Sequence, residues 1–348
     1  MKKVIFLAIA AAAALTACSK SEVVDSSVMN KAISFESYIG KDAQTKASVV
    51  TDVTSVNVNA FLYKLANAEN RTFVSNFMTN QAVTRESAES TSWTYTPVRY
   101  WPAEDQAIDF VAWVPVDNAS VENATLTFTV PADDVTKQTD LIVSDPQPGM
   151  NGDVVALHFK HLLSRIGFQI NAKQLPTDEA NKVVLKNVTL NGSFASSGKV
   201  DMTATKPAVV ADREGEGEGD AQVLKSPTQA YTLTGTNFGY TNDIITNGDK
   251  PNKNDSYIML IPDGNVPANI NITYEIQTTN GNKTETITNE KVFPLTGITY
   301  EAGKAYKYVF EISLDAISFS VEIDEWGAET EVPINPATPE EGTEEPAS

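Results

Sequence analysis

The chain has 348 residues and a formal charge of −19, from 26 lysines and arginines against 45 aspartates and glutamates, with one cysteine and two histidines. One cysteine cannot form an intramolecular disulfide or a cysteine-rich zinc site, two histidines leave little for a multi-histidine metal centre, and so acidic a chain lacks the basic surface that nucleic-acid binding requires. The length predicts two domains of about 150 residues, and 41% hydrophobic with 20% charged residues is the composition of a globular protein.

The first residues have the pattern of a secretory signal peptide. Lys2 and Lys3 form a positive start, residues 4–14 are an apolar run, and Cys18 follows a small residue. The run is too short to span a bilayer, so residues 1–17 are predicted to be removed on export. The ending resembles the bacterial lipobox, which implies that Cys18 carries lipid and anchors the chain to the outer membrane. A plain secreted protein is the alternative.

Alternation of apolar and polar residues predicts that the exported chain is all-β. The alternating runs fall at 56–62, 126–130, 270–276, 306–314 and 317–323. Such strands bury one face and expose the other to solvent, as antiparallel β-sandwiches require. Two shorter runs, 108–114 and 257–261, are apolar throughout, which predicts central strands.

One stretch, 157–170, fits two structures. Its apolar residues change phase between Phe159 and Leu162, which favours a strand with a break or bulge. Phe159, Leu162, Leu163 and Ile166 would also share one face of a short helix. The broken strand is the preferred interpretation.

Turn-forming and low-complexity segments divide the chain. The turn-rich residues 145–152 predict a boundary between an N-terminal sandwich at 47–150 and a C-terminal sandwich at 151–328. The acidic run 214–220 predicts a mobile loop, and the proline- and glutamate-rich tail at 329–348 is predicted to be extended or disordered.

Few residues could carry chemistry. His158 and His161 lie three apart and could bind a metal, but neither an HExxH motif nor a third ligand accompanies them, so packed or hydrogen-bonded histidines are preferred. The sequence has no Gly-x-Ser-x-Gly elbow, phosphate-binding loop or Cys/His pair. Asp133 and Asp134 are interpreted as loop charges. The sequence therefore predicts no catalytic residue, no metal site, no cofactor and no enzymatic activity.

Five aromatic residues lie near one another in the sequence: Trp93, Tyr95, Tyr100, Trp101 and Trp113. They could form a platform on which a sugar stacks, although such residues more often fill a sandwich core. A platform would make the chain a surface glycan-binding lipoprotein that does not polymerise, and this is the alternative function.

The segment at 31–39 has a strand pattern with Ile33, Phe35 and Ile39 on one face, and a polar linker follows at 40–46. This segment and four others resemble, in order, those of the fimbrillin family, the type V pilins of anaerobic Gram-negative bacteria. The shared features are the lipobox at Cys18, residues 32–35 followed by Lys46 and Ala47, the core strand at 110–115, the segment 159–166, and the ending from 302–306 to Trp326.

The resemblance implies two transthyretin-like antiparallel β-sandwich domains in tandem and a route of assembly. Family members are exported as lipoproteins, and a trypsin-like protease cuts after a basic residue. The cut removes the anchor with the first strand, and a strand from a neighbouring pilin subunit fills the groove. Here the leader is 18–46, the removable strand contains Ile33, Phe35 and Ile39, and the expected cut follows Lys46, with Lys41 as second choice.

The family's donor strand is C-terminal, but beyond Trp326 this chain offers only Val332 and Ile334 among prolines and glutamates. The donor then lies upstream, within 317–323, or the chain is a tip or anchor subunit that accepts a strand without giving one. The function implied is that of a fimbrial subunit in surface adhesion, with a receptor that the sequence does not identify.

Overall fold

The computed structural model describes residues 31–39, 53–66, 70–87, 90–172, 175, 180–215, 223–238, 243–245, 257–313 and 317–325. Their regular structure is β-strand with short 3₁₀ turns such as Val135–Lys137, which confirms the all-β prediction. No helix in this part of the chain is long and apolar enough to cross a membrane. Cys18, Lys41, Lys46 and the tail lie outside the described residues, as do residues 216–220 of the acidic run.

The strands, in chain order, are β1 (Phe35–Ile39), β2 (Ser55–Leu65), β3 (Arg71–Thr84), β4 (Gln106–Trp113), β5 (Ala119–Glu122), β6 (Thr125–Thr129), β7 (Ile142–Ser144), β8 (Gln147–Met150), β9 (Val155–His161), β10 (Ser164–Ala172), β11 (Asn181–Phe194), β12 (Ser197–Asp201), β13 (Val210–Ala211), β14 (Arg213–Glu214), β15 (Val223–Leu224), β16 (Thr228–Thr234), β17 (Ile244–Ile245), β18 (Tyr257–Leu260), β19 (Val266–Asn280), β20 (Lys283–Pro294), β21 (Lys304–Ile312) and β22 (Ile317–Glu325).

The first strand lies at the edge of a seven-stranded sheet. The strand order is β1-β9-β7-β4-β2-β3, and β8 pairs with β4. Strand β1 runs parallel to β9, whereas the other pairs of this sheet are antiparallel. The run 108–114 falls on β4, which has neighbours on both sides, so its central position is confirmed.

The remaining strands form further sheets, with the orders β18-β10-β21-β22, β16-β11-β19-β20, β13-β12-β6-β5 and β14-β15, and β17 pairs with β11. The prediction of a central strand at 257–261 is wrong, because β18 is an edge strand. Its second face is nevertheless covered, because the guanidinium carbon of Arg165 lies 4.3 Å from the centre of the Tyr257 ring and Met259 is partly buried against the larger core. The Met259 backbone amide donates to the Gln138 side chain at 2.7 Å. Covering of both faces explains why the run is apolar throughout.

The ambiguous stretch is two strands in two sheets. Strand β9 ends at His161 in the first sheet, and β10 begins at Ser164 in the second. Leu162 and Leu163 between them are buried, so the break is confirmed and the helix is wrong. Strand β9 pairs within the first sheet, and β6 pairs with β12, so strand pairs cross both residue 150 and His161. The tandem two-domain boundary after residue 150 remains a prediction.

Two apolar cores lie on opposite faces of the first sheet. Alternate residues of β4 separate them: Phe110 points into one core, and Val111 and Trp113 into the other. The larger core continues through the remaining sheets. The smaller core is closed by residues 90–101, which follow β3 and are named here the covering segment.

Candidate functional site at the first strand

Residues 31–39 fill a groove at the edge of the first sheet. Ile33 and Phe35 are only 2% and 3% exposed, and both belong to the smaller core. In the parallel register Phe35 pairs with Val155, Ser37 with Leu157 and Ile39 with Phe159. Because paired residues share a face of a sheet, Phe35 and Ser37 point inward with the buried side chains of Val155 and Leu157.

The backbone of this segment is held from two sides. On one side lies β9, whose Val155 amide donates to the Ser34 carbonyl at 2.9 Å. On the other side the covering segment forms an antiparallel bridge between Ala32 and Tyr100. The Ile33 amide donates to Arg99 at 2.9 Å and the Trp101 amide donates to Lys31 at 3.1 Å. We name this groove between β9 and the covering segment the first-strand slot.

Aromatic rings line the slot around Phe35. The ring of Phe35 meets those of Tyr95 and Phe110 edge to face, with centroids 5.5 and 5.9 Å apart. The Tyr95 hydroxyl also donates to the Ile33 carbonyl at 2.9 Å, so one residue of the covering segment touches both buried positions of the first strand. Burial raises the pKa of Tyr95, against the opposing effect of its hydrogen bond with the Arg99 backbone. Tyr95 therefore stays a neutral donor at physiological pH.

A cavity of about 260 Å³ adjoins the slot at the next inward position of β1. Its lining comprises Glu36, Ser37, Arg85, Thr91 and Trp93. The guanidinium carbon of Arg85 lies 4.9 Å from the centre of the Trp93 ring. Sequence patterning missed this cavity, although the alternation of Ile33, Phe35 and Ile39 places Ser37 on the same face.

The five aromatic residues do not form a sugar platform, which was the less favoured of their two interpretations. Trp101 and Trp113 are 2% and 3% exposed and lie in different cores, whereas Tyr100 is exposed. Trp93 and Tyr95 are partly buried against the smaller core. The preferred interpretation, that these aromatics fill a sandwich core, holds for the two buried tryptophans, and sequence reasoning missed the contact of Tyr95 with the first strand.

The two histidines have different surroundings. His161 lies at the end of β9, and its Nδ1 is 2.5 Å from Oδ2 of the buried Asp140, which agrees with a hydrogen-bonded histidine. His158 is exposed on the outward face of the same strand. The part of the chain that is described contains no group of three or more histidines, cysteines, aspartates and glutamates that could hold a metal ion.

The predicted donor run, 317–323, belongs to β22. This strand pairs with β21 and lies at the edge of its sheet. The lipidation site Cys18 and both expected cleavage sites, Lys46 and Lys41, lie outside the described residues.

The known proteins that are similar to this chain include fimbrial proteins. The model of the fimbrillin-like family matches residues 45–326. A curated relative, fimbrium subunit Fim1C of Phocaeicola vulgatus, is 25% identical over 388 aligned residues, which cover 94% of this chain and 98% of the relative. A fimbrial protein from Bacteroides vulgatus ATCC 8482, known from its crystal structure, has a TM-score of 0.60 at 19% identity, over 85% of this chain and 100% of that protein.

Proposed function

The chain belongs to the fimbrillin-like family, and we propose that it is a fimbrial subunit, exported as a lipoprotein and assembled by exchange of its first strand. Lipid on Cys18 holds the exported chain on the outer membrane, and processing transfers it to a surface fimbrium that serves adhesion. Such a subunit is a structural protein and needs no catalytic residue or cofactor.

The observation that carries this proposal is the burial of Ile33 and Phe35 at the edge of a sheet. An edge strand can leave without breaking the interior of its sheet, and the vacated edge presents unpaired backbone groups to another strand. Each of the two side chains contributes about 1.5 to 3 kcal/mol by burial. An emptied slot therefore strongly favours a replacement strand.

Processing separates the first strand from the rest of the chain. A trypsin-like protease cuts after Lys46, or after Lys41 as second choice, and both lie in the polar stretch between β1 and β2. After the cut, β1 is held by non-covalent contacts alone, so it can be lost together with the lipid on Cys18.

The partners are other pilin subunits and the processing protease. A subunit within the fimbrium gives a strand from 317–323 to its neighbour, whereas a tip or anchor subunit only accepts one. The alternative of a glycan-binding lipoprotein has less support, because Trp101 and Trp113 are buried in separate cores.

Limited proteolysis tests the proposal. Mild trypsin treatment of the purified full-length chain should convert monomer into an SDS-resistant ladder of multimers, and N-terminal sequencing should find residue 47 at the start of each subunit. Lys46→Ala should delay the appearance of the multimer ladder. The double variant Lys41→Ala/Lys46→Ala should form no ladder. Multimers whose subunits still began at Cys18 would contradict the cut.

A further inference from the structure

The inward face of β1 is underfilled at one position. Ser37 lies opposite the buried Leu157 and adjoins the cavity of about 260 Å³. Its inward neighbour Phe35 is closely packed, whereas a serine is too small to fill a cavity of this size. Ser37 of the resident strand therefore makes less apolar contact than a larger side chain would make at this position.

Part of the cavity wall lies outside the first strand, because Arg85, Thr91 and Trp93 line the cavity together with Glu36 and Ser37. The Arg85 Nε donates to the Val53 carbonyl at 2.7 Å, and its Nη1 donates to the Ser90 carbonyl at 3.1 Å. The same guanidinium lies over Trp93. None of these partners belongs to the leader 18–46, so the wall keeps these contacts when the leader is lost. An apolar side chain that enters from a new strand can rest against the Trp93 ring.

A second segment of the chain repeats the pattern of the first strand. Residues 33–39 read Ile-Ser-Phe-Glu-Ser-Tyr-Ile, and residues 317–323 read Ile-Ser-Phe-Ser-Val-Glu-Ile. The inward positions of the first segment carry Ile, Phe, Ser and Ile, and the second segment has Ile, Phe, Val and Ile. Among inward positions the two segments therefore differ only where Val321 stands in place of Ser37.

The second segment also occupies an edge. It forms most of β22, whose ladder with β21 runs from Ile312↔Ile317 to Lys304↔Glu325. Val321 is partly buried against the larger core, and Ile323 is 44% exposed. Detachment of this strand breaks the ladder to β21 and leaves the interior of the sheet intact.

We propose that residues 317–323 of a second copy of the chain occupy the first-strand slot in the direction of β1, and that Val321 fills the cavity that Ser37 leaves. This inference rests on the proposed strand exchange and adds the register and the side chain that favours the incoming strand. Ile317, Phe319 and Ile323 take the places of Ile33, Phe35 and Ile39. The incoming strand then places an isoleucine and a phenylalanine where Ile33 and Phe35 are buried, and it adds an apolar side chain at the cavity.

The test on the acceptor side is Ser37→Val in the full-length chain, with Ser34→Val as the matched control at an exposed position of the same segment. Trypsin cleavage and multimer formation are followed separately on denaturing gels. Valine in the cavity should hold the resident strand more tightly, so that Ser37→Val slows multimer formation about tenfold after the cut, as burial of one valine side chain predicts. Ser34→Val should change the rate less than twofold.

The test on the donor side is Val321→Ser, mixed with an unmodified chain that carries a different tag. The variant should accept strands at the normal rate but donate about tenfold more slowly. A misfolded variant would fail in both roles, so the acceptor rate is the internal control.

The outcomes separate the two proposals. Suppose that the unmodified chain forms multimers and that Ser37→Val and Ser34→Val form them at the same rate as the unmodified chain, or that Val321→Ser donates its strand normally. In either case the proposed register and the filled cavity are wrong, whereas strand exchange itself still stands. If the unmodified chain forms no multimers after the cut, the proposed function fails and this inference fails with it.

Discussion

At the scale of single residues, Phe35 connects the first strand to the core, because its ring packs edge to face on Tyr95 and Phe110. Phe35→Ala should lower the free energy of unfolding by about 3 to 5 kcal/mol, the usual cost of deleting a buried phenyl ring. Urea denaturation of the full-length chain measures this. Ser34→Ala, at an exposed position of the same segment, is the control and should stay within about 0.5 kcal/mol of the unmodified chain. Equal midpoints for the two variants would show that the first strand does not contribute to the core.

The Tyr95 hydroxyl is a second residue-level contact, and it acts on the backbone. Tyr95→Phe keeps the ring against Phe35 but removes the hydroxyl, which donates to the Ile33 carbonyl and accepts from the Arg99 amide at 3.3 Å. Loss of one such hydrogen bond costs about 1 kcal/mol, so hydrogen exchange in residues 31–39 should accelerate about fivefold. Mass spectrometry of the peptide that contains these residues reports the rate. Tyr100→Phe, which alters an exposed ring of the same segment, should leave the rate unchanged, and an equal acceleration in that variant would point to a general loosening of the covering segment.

At the scale of elements, the bridge between Ala32 and Tyr100 allows the first strand to be locked in place. Because the Ile33 and Trp101 amides donate to Arg99 and Lys31, Ala32 and Tyr100 form a non-hydrogen-bonded antiparallel pair, whose Cα atoms lie about 4.5 Å apart. This spacing suits a disulfide. Ala32→Cys with Tyr100→Cys, in a chain that carries Cys18→Ser, should be cleaved by trypsin yet form no multimers until a reductant is added.

The single cysteine variants are the controls for this lock, and both should assemble with or without reductant. Assembly of the oxidised double variant at the rate of the single variants would mean that the first strand need not leave the slot.

The elements also show how far the sequence predicts the fold. Alternation predicted that Ile33 and Phe35 share a buried face, because a period of two is a local property of the chain. It did not predict that β1 pairs in parallel with β9, since the choice of partner depends on contacts between residues more than a hundred positions apart. The prediction for 257–261 failed for a related reason. An apolar run records that both faces of a strand are covered, which does not require a neighbouring strand at each edge. The Met259 backbone amide of β18 donates to the Gln138 side chain and not to another strand.

At the scale of the whole molecule, alkaline pH should destabilise the larger core through its tyrosines. The Tyr300 and Tyr308 hydroxyls lie 3.0 Å apart in the interior, and burial raises both pKa values, that of Tyr308 to about 12. Since the unfolded tyrosines ionise near pH 10 while the folded ones stay neutral, stability is full below pH 10 and falls as the pH rises toward 12. Tyr308 alone should account for about 2 kcal/mol of this loss. Urea titrations should show a shallower decline for Tyr300→Phe/Tyr308→Phe, and an unchanged decline would assign the pH dependence to other groups.

The net charge of the subunit should control the rate of assembly. Removal of residues 1–17 takes two lysines, and the leader 18–46 carries as many basic as acidic residues, so the charge moves from −19 to −21 and stays there after the cut. Two such subunits repel each other, and salt screens the repulsion over a Debye length of about 10 Å at 0.1 M. Multimer formation should therefore accelerate about tenfold between 20 and 300 mM NaCl, with trypsin removed after the cut so that its own salt dependence does not enter.

Neutralising part of the tail provides the matched variant for this salt effect. Glu340, Glu341, Glu344 and Glu345 lie near the C-terminus, and their replacement by glutamine changes the charge of the processed subunit from −21 to −17. Because weaker repulsion leaves less for salt to screen, this variant should assemble faster than the unmodified chain at 20 mM NaCl and show a smaller acceleration at 300 mM. A rate that fell with salt in both chains would mean that attraction between opposite charges, such as Arg85 with an acidic group of the incoming strand, outweighs the repulsion of the subunits as a whole.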